Sequence, residues 1–297
     1  MDFLRYLATI RTPFLDLFFR FWTLFGEETL VFAIICMIYW CINKKLAYKI
    51  AFTMFISGML VQNLKILFRV ERPWILDPNF TPVGDATTTA TGYSFPSGHT
   101  QGAASFFGTL AIWLKKVKFV IPCLVMIVMV ALSRMYLGVH TQADVIVGMV
   151  LTLLTAVICS YIFDRFLADG KHDLLAAIIF ALMSLFTIIL ASILSNSGYI
   201  DAAHTVDCFK LAGTGFGVAV GWYVERKWIK FDPREKNVLY QIIKLAIGLI
   251  VAVALKSGLK IIFGDSNVFN VIRYFITVVW ILAIYPWIIK KFKKEVD

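Results

Sequence analysis

Residues 65–73 read KILFRVERP, residues 96–99 read PSGH and residues 133–144 read SRMYLGVHTQAD. The chain around these blocks is apolar enough to sit in a bilayer, and ionisable groups at that depth are expensive, so a cluster of them points to function. Lys65, Arg72 and Arg134 are three cations suited to a tetrahedral dianion, the guanidiniums adding planar, bidentate donors. His140 and Asp144 are four apart and share a face if helical. A carboxylate there takes one imidazole N–H, sets the tautomer and leaves the other nitrogen free to attack. His99 is a second imidazole, suited to protonating a leaving oxygen. Ser97, Gly98 and His99 stand just ahead of an apolar run, and a helix N-terminus there aims free backbone N–H groups at an anion. Together these parts suit phosphoryl transfer, where catalysis is mainly positioning and charge stabilisation.

Working outward, the composition fixes the class. The 297 residues are 60% hydrophobic and 16% charged, whereas soluble domains carry about a quarter charged residues. Apolar runs at 28–43, 46–68, 100–114, 119–132, 144–163, 173–195, 208–224, 238–263 and 268–289 each read as a membrane span. The predicted fold is therefore all-α: a polytopic transmembrane helical bundle of about nine spans after an N-terminal amphipathic helix. Residues 2–25 mix Arg5, Arg11, Asp16 and Arg20 with Phe, Leu and Trp, and Pro13 breaks the run. They read as an interfacial entry segment, with a genuine first span as the rival. The 46–68 helix should carry Lys65 and, two turns on, Arg72, with Pro73 ending it. Residues 74–95 read equally as a lid or as a solvated connector. Gly213, Gly215, Gly217 and Gly221 read as close helix packing.

The net charge of +10 matches cytoplasmic Lys and Arg rather than nucleic-acid binding. Lys44, Lys45 and Lys49 fall on one side of the membrane. So do Lys115, Lys116 and Lys118; Arg165 and Lys171; the 226–236 basic run; and tail Lys290, Lys291, Lys293 and Lys294. That side is cytoplasmic by the positive-inside rule, which puts the C-terminus in the cytoplasm and the motif cations outside. Cys36, Cys41, Cys123, Cys159 and Cys208 form no C-x-x-C pair and read as small core residues, with neither a disulfide framework nor a zinc site. His172 reads as a solvated turn. His204, with Asp201 and Asp207, lies in a loop on the motif side; its spacing is loose for a metal, leaving a solvated loop or a part in substrate recognition.

K-x6-R-P, P-S-G-H and S-R-x5-H-x3-D, in that order and without substitution, resemble the signature of the type 2 phosphatidic acid phosphatase superfamily. Singly, Lys65 reads as a snorkelling lysine, Arg72 and Arg134 as interfacial anchors, and His140–Asp144 as a structural pair; three spaced blocks are not explained that way. The resemblance implies that His140 is a nucleophile forming a phosphohistidine, that Asp144 orients it, and that His99 is the general acid. It further implies that Lys65, Arg72, Ser97, Gly98 and Arg134 bind phosphoryl oxygens and that neither metal nor cofactor is needed. Soluble vanadate haloperoxidases share this pocket. General resemblance extends over about residues 1–165, the expected catalytic core. Residues 166–297 are expected to add transmembrane helices of unassigned role, without a recognisable family motif.

The expected activity is phosphoric ester hydrolysis by a membrane enzyme, on a lipid phosphate monoester or diphosphate. Phosphatidic acid, phosphatidylglycerol phosphate, a sphingoid phosphate and a polyprenyl diphosphate are the substrates considered. A soluble sugar phosphate is the alternative, because the span count and orientation resemble the glucose-6-phosphatase branch. A non-enzymatic anion carrier is the alternative of another class. The expected partner is the membrane lipid, with no nucleic acid, and homodimerisation is left open.

Overall fold

The computed structural model describes residues 1–293. Lys294, counted above among the tail lysines, lies outside the described residues. No strand occurs among the described residues. The helices are α1 Asp2–Thr9, α2 Pro13–Thr23, α3 Glu28–Met37, α4 Lys44–Phe68, α5 Pro73–Leu76, α6 Gly98–Leu114, α7 Val117–Tyr136, α8 Gln142–Ile162, α9 Asp173–Asn196, α10 Val206–Val224, α11 Val238–Phe263, α12 Asn267–Val279 and α13 Tyr285–Lys293. π turns extend α3, α8 and α10, and a further one joins α12 to α13.

Six segments are long and apolar enough to cross a membrane: Lys44–Leu76, Val117–Tyr136, Gln142–Leu167, Asp173–Asn196, Val238–Phe263 and Asn267–Phe292. A seventh is added if Pro13–Gly26 and Glu28–Ile42, bent by 51°, count as one broken span. The polytopic helical class therefore holds, while length and apolarity do not reach the expected nine. The shortfall has a physical cause. α6 buries polar Thr100, Gln101, Ser105 and Thr109, and α10 is rich in glycine and carries Asp207 and Lys210. α6 is also only 17 residues long, so neither helix is both long and apolar enough.

The chain forms two compact units. The first comprises Met1–Phe32, Ile50–Ser160 and Leu194–Asp207. In it Thr12 caps α2, accepting from Leu15 N–H at 3.3 Å, and Pro13 takes the first helical position, where its missing N–H costs nothing. Pro13 thus separates two short helices. Arg5 pairs with Asp77 at 2.8 Å, Arg11 donates to Thr81 O at 2.7 Å, and the Tyr136 hydroxyl donates to Asp16 at 2.8 Å. Phe19 stacks on Tyr136 at 4.2 Å. Tyr6, Phe14, Leu17 and Phe21 stay outward, as an amphipathic segment requires. In the 74–95 stretch Phe80, Val83 and Tyr93 are buried while Asn79, Thr81, Asp85 and Thr88 are exposed.

The second unit comprises Ala33–Lys49, Tyr161–Ile193 and Cys208–Asp297. A side chain at Gly213, Gly217 or Gly221 would collide with Val271, Val278 or Leu282 respectively. Small residues on one face let α10 lie close against α12 and the turn after it. Buried Glu225 is fully engaged: Lys44 donates at 2.8 Å, Phe231 N–H at 3.1 Å, and the Tyr48 hydroxyl also donates. Such satisfaction is what a buried carboxylate needs.

Candidate active site

All the motif residues lie in the first unit. Lys65 sits in the last turn of α4. The helix stops at Phe68 and Arg69 takes a left-handed conformation, φ 53°. Arg72 therefore lies off the helix, and the expectation that it shares a helical face with Lys65 is corrected. Pro73 does not end α4 either; it opens α5, with Arg72 as the extended residue before it, the conformation a following proline favours. Lys65 and Arg72 converge instead on one backbone stretch. Lys65 Nζ donates to Tyr93 O. Arg72 donates from Nη2 to Thr91 O at 2.6 Å and from Nε to Gly92 O at 3.0 Å.

Ser97 caps α6, its hydroxyl accepting from Thr100 N–H at 3.4 Å, so the motif opens the helix as its sequence suggested. Gly98 and His99 are the first two helical residues, whose N–H groups have no partner within the helix. Gly148 lets α8 approach this turn: a Cβ there would lie 3.0 Å from Ser97 O. Ser97 N–H donates to Asp144 O at 2.9 Å, joining the second block to the third.

His140 lies in the turn before α8 and Asp144 in its first turn. Thr141 N–H donates to Asp144 Oδ2 at 2.7 Å, and Asp144 N–H donates back to the Thr141 hydroxyl at 3.4 Å, a reciprocal cap. His140 Nδ1 lies 3.3 Å from Asp144 Oδ2 and its Nε2 lies 3.0 Å from Arg72 Nη1. A guanidinium only donates, so Nε2 is the lone-pair nitrogen and the proton sits on Nδ1. Burial, with Arg72, Lys65 and Arg134 nearby, holds the imidazole well below its usual range. His140 is thus a neutral imidazole with its lone-pair nitrogen turned towards a cation.

Arg134 is fully buried in the last turn of α7 and donates from Nη1 to the Thr23 hydroxyl at 2.8 Å. Among the described residues its Nε and Nη2 have no hydrogen-bond partner, nor has His99 Nε2, although all three atoms are shut off from solvent. Buried polar groups are rarely left so. Together with three buried cations, these orphans describe a place for an anion. Among the described residues, no three His, Cys, Asp or Glu side chains are grouped to hold a metal ion.

Sequence reasoning missed Ser94. It is fully buried, and its hydroxyl donates to Asp144 Oδ2 at 2.5 Å. No local pattern marked it, because its partner is fifty residues away.

A model of the PAP2 superfamily matches residues 46–168, and a model of the transmembrane extension of PAP2 superfamily phosphatases matches residues 209–295. The chain belongs to the PAP2 superfamily. The second match corrects the expectation that residues past about 165 carry no family feature. It agrees with an integral, multi-pass membrane protein. Phosphatidylglycerophosphatase B of Bacillus subtilis (strain 168) is 35% identical over 102 residues, covering 30% of this chain and 48% of that protein. A probable sphingosine-1-phosphate phosphatase of Dictyostelium discoideum is 27% identical over 171 residues, covering 52% and 40%. The chain thus spans less than half the length of these relatives. The crystal structure of the first transmembrane PAP2 type phosphatidylglycerolphosphate phosphatase from Bacillus subtilis is 24% identical, with a TM-score of 0.46 over 55% of this chain and 83% of that one.

Proposed function

We propose that this PAP2 superfamily member is an integral-membrane phosphatase that hydrolyses a lipid phosphate monoester or diphosphate through a phosphohistidine, without a metal. The observation that carries the reading is a lone-pair nitrogen, His140 Nε2, facing Arg72 in the unit that also holds buried polar atoms of Arg134 and His99 without a partner among the described residues. A phosphoryl group there takes oxygens to Arg72, Lys65, Arg134, Ser97 and the first N–H groups of α6, Gly98 included. Nε2 attacks phosphorus as the ester P–O bond breaks, and His99 protonates the departing oxygen. Water then attacks the phosphohistidine, His99 taking its proton, and phosphate and free His140 are restored. Asp144 holds the Nδ1 proton throughout and steadies the charge on the ring.

Two relatives named for phosphorylated lipids support a lipid ester over a soluble one. We place catalysis within residues 1–165, with further membrane helices in 166–297. We further infer nine crossings, with α3, α6 and α10 crossing among other helices, the site outside and the C-terminus in the cytoplasm. The test is phosphate release by purified protein across lipid and water-soluble esters, with chelator present. The parent should prefer long-chain lipid phosphates, and His140→Ala should lose release entirely. Full turnover by that variant ends the mechanism. Preference for sugar phosphates replaces the substrate class, and anion flux without hydrolysis marks a carrier.

A further inference from the structure

Residues 199–207, the link after α9 together with the first two residues of α10, lie outside both matched stretches, 46–168 and 209–295, yet they belong to the unit that holds the motif residues. They meet that unit at three points. Arg69, at the end of α4, donates to Tyr199 O at 3.4 Å and lies over the Tyr199 ring at 5.2 Å. The Thr91 hydroxyl donates to Asp207 Oδ2 at 2.6 Å. The Tyr93 and His204 rings stack face to face, 4.3 Å apart and tilted by 20°. The segment is preformed: Asp201 accepts from Ala203 N–H at 2.8 Å, and Thr205 is buried.

Two of these contacts fall on Thr91 and Tyr93, whose carbonyls hold Arg72 and Lys65. Asp207 also acts electrostatically on both cations. We propose that residues 199–207 are a positioning element of the phosphate site, Asp207 and His204 clamping the 91–93 backbone that aims Arg72 and Lys65. This rests on the phosphatase reading above. The chemistry is indirect: neither Asp207 nor His204 touches the phosphoryl group. Asp207 fixes the Thr91 peptide through the Thr91 hydroxyl. The flat face of His204 fixes Tyr93. Loosening either lets the guanidinium and ammonium drift from the geometry that grips phosphate, and a weaker grip on the bound oxyanion shows in KM and in the affinity for orthovanadate.

The test uses full-length Thr91→Val, Asp207→Ala and His204→Ala proteins in detergent, beside the parent and His140→Ala. The readings are KM and kcat for lipid phosphate release, the inhibition constant for inorganic orthovanadate, and melting temperature. Each variant should raise KM and the orthovanadate constant by about two- to ten-fold, the effect of one lost hydrogen bond or ring contact. The kcat and melting temperature should stay near the parent's. Combining Thr91→Val with Asp207→Ala should do no more than the worse single change, since the two share one bond. His204→Phe should restore what His204→Ala loses, because a flat ring suffices for the stack. An unchanged orthovanadate constant in all three overturns the proposal, as does a His204→Phe protein as impaired as His204→Ala. If the parent hydrolyses no phosphate ester, the phosphatase reading falls by itself. Orthovanadate binding measured by calorimetry then still decides the clamp.

Discussion

Asp144 Oδ2 collects the Ser94 hydroxyl, the Thr141 N–H and the His140 ring proton. A carboxylate with three donors has one low-energy position, so the imidazole it orients has one as well. Of the three donors, Ser94 alone can be removed without altering the backbone or His140. Bonds to a charged acceptor are the stronger kind, and Thr141 N–H still holds the carboxylate in its absence. Ser94→Ala should therefore lower kcat by about ten-fold and leave KM alone. Steady-state kinetics on one lipid phosphate reads this directly. A rise in KM at constant kcat would mean that Ser94 meets the substrate, and its orienting part would be lost.

Much of the site was readable because its signals are local. Ser97 is a helix cap by residue type, and the Thr141–Asp144 pair is a cap by spacing. Other features have no local signal. Arg69 ends α4 in a left-handed turn without a glycine to announce it, so the 65–73 block looks like continuous helix. Ser94 and the 91–93 carbonyls matter through partners far along the chain. The glycines divide in the same way. Gly98 has open space where a Cβ would stand, whereas a Cβ on Gly148 would press on the backbone of Ser97. Gly98→Ala should thus fold at least as stably as the parent, since alanine is the better helix former. Gly148→Val should destabilise by about 1–3 kcal/mol, as overpacking does, and should also cut activity by forcing the 97–98 turn off α8. Thermal melts alongside phosphate release check both. A stable, fully active Gly148→Val protein would show that α8 does not set the position of that turn.

At the scale of the molecule, the question left open is whether α6, which carries the PSGH turn, crosses the membrane. α6 presents Gln101, Ser105 and Thr109 to buried surroundings and is only 17 residues long, whereas α9 is 24 residues and strongly apolar. Polar groups inside a bundle are affordable because protein, not hydrocarbon, surrounds them. The same reasoning makes the topology testable. Exposed Lys116 lies in the short link between α6 and α7, and exposed Thr88 lies in the stretch leading to the PSGH turn. Positive charge at the 115–118 link argues for the cytoplasm, so residues 77–95 should face outward. In a protein with its five cysteines replaced, a cysteine at position 88 should react with a membrane-impermeant maleimide on intact cells. One at position 116 should react only after permeabilisation. The opposite pattern would turn the site towards the cytoplasm, and labelling of both in intact cells would mean that α6 does not cross. Outward labelling at 88 with protection at 116 makes α6 a crossing helix whose N-terminus, at Ser97, lies on the outer face.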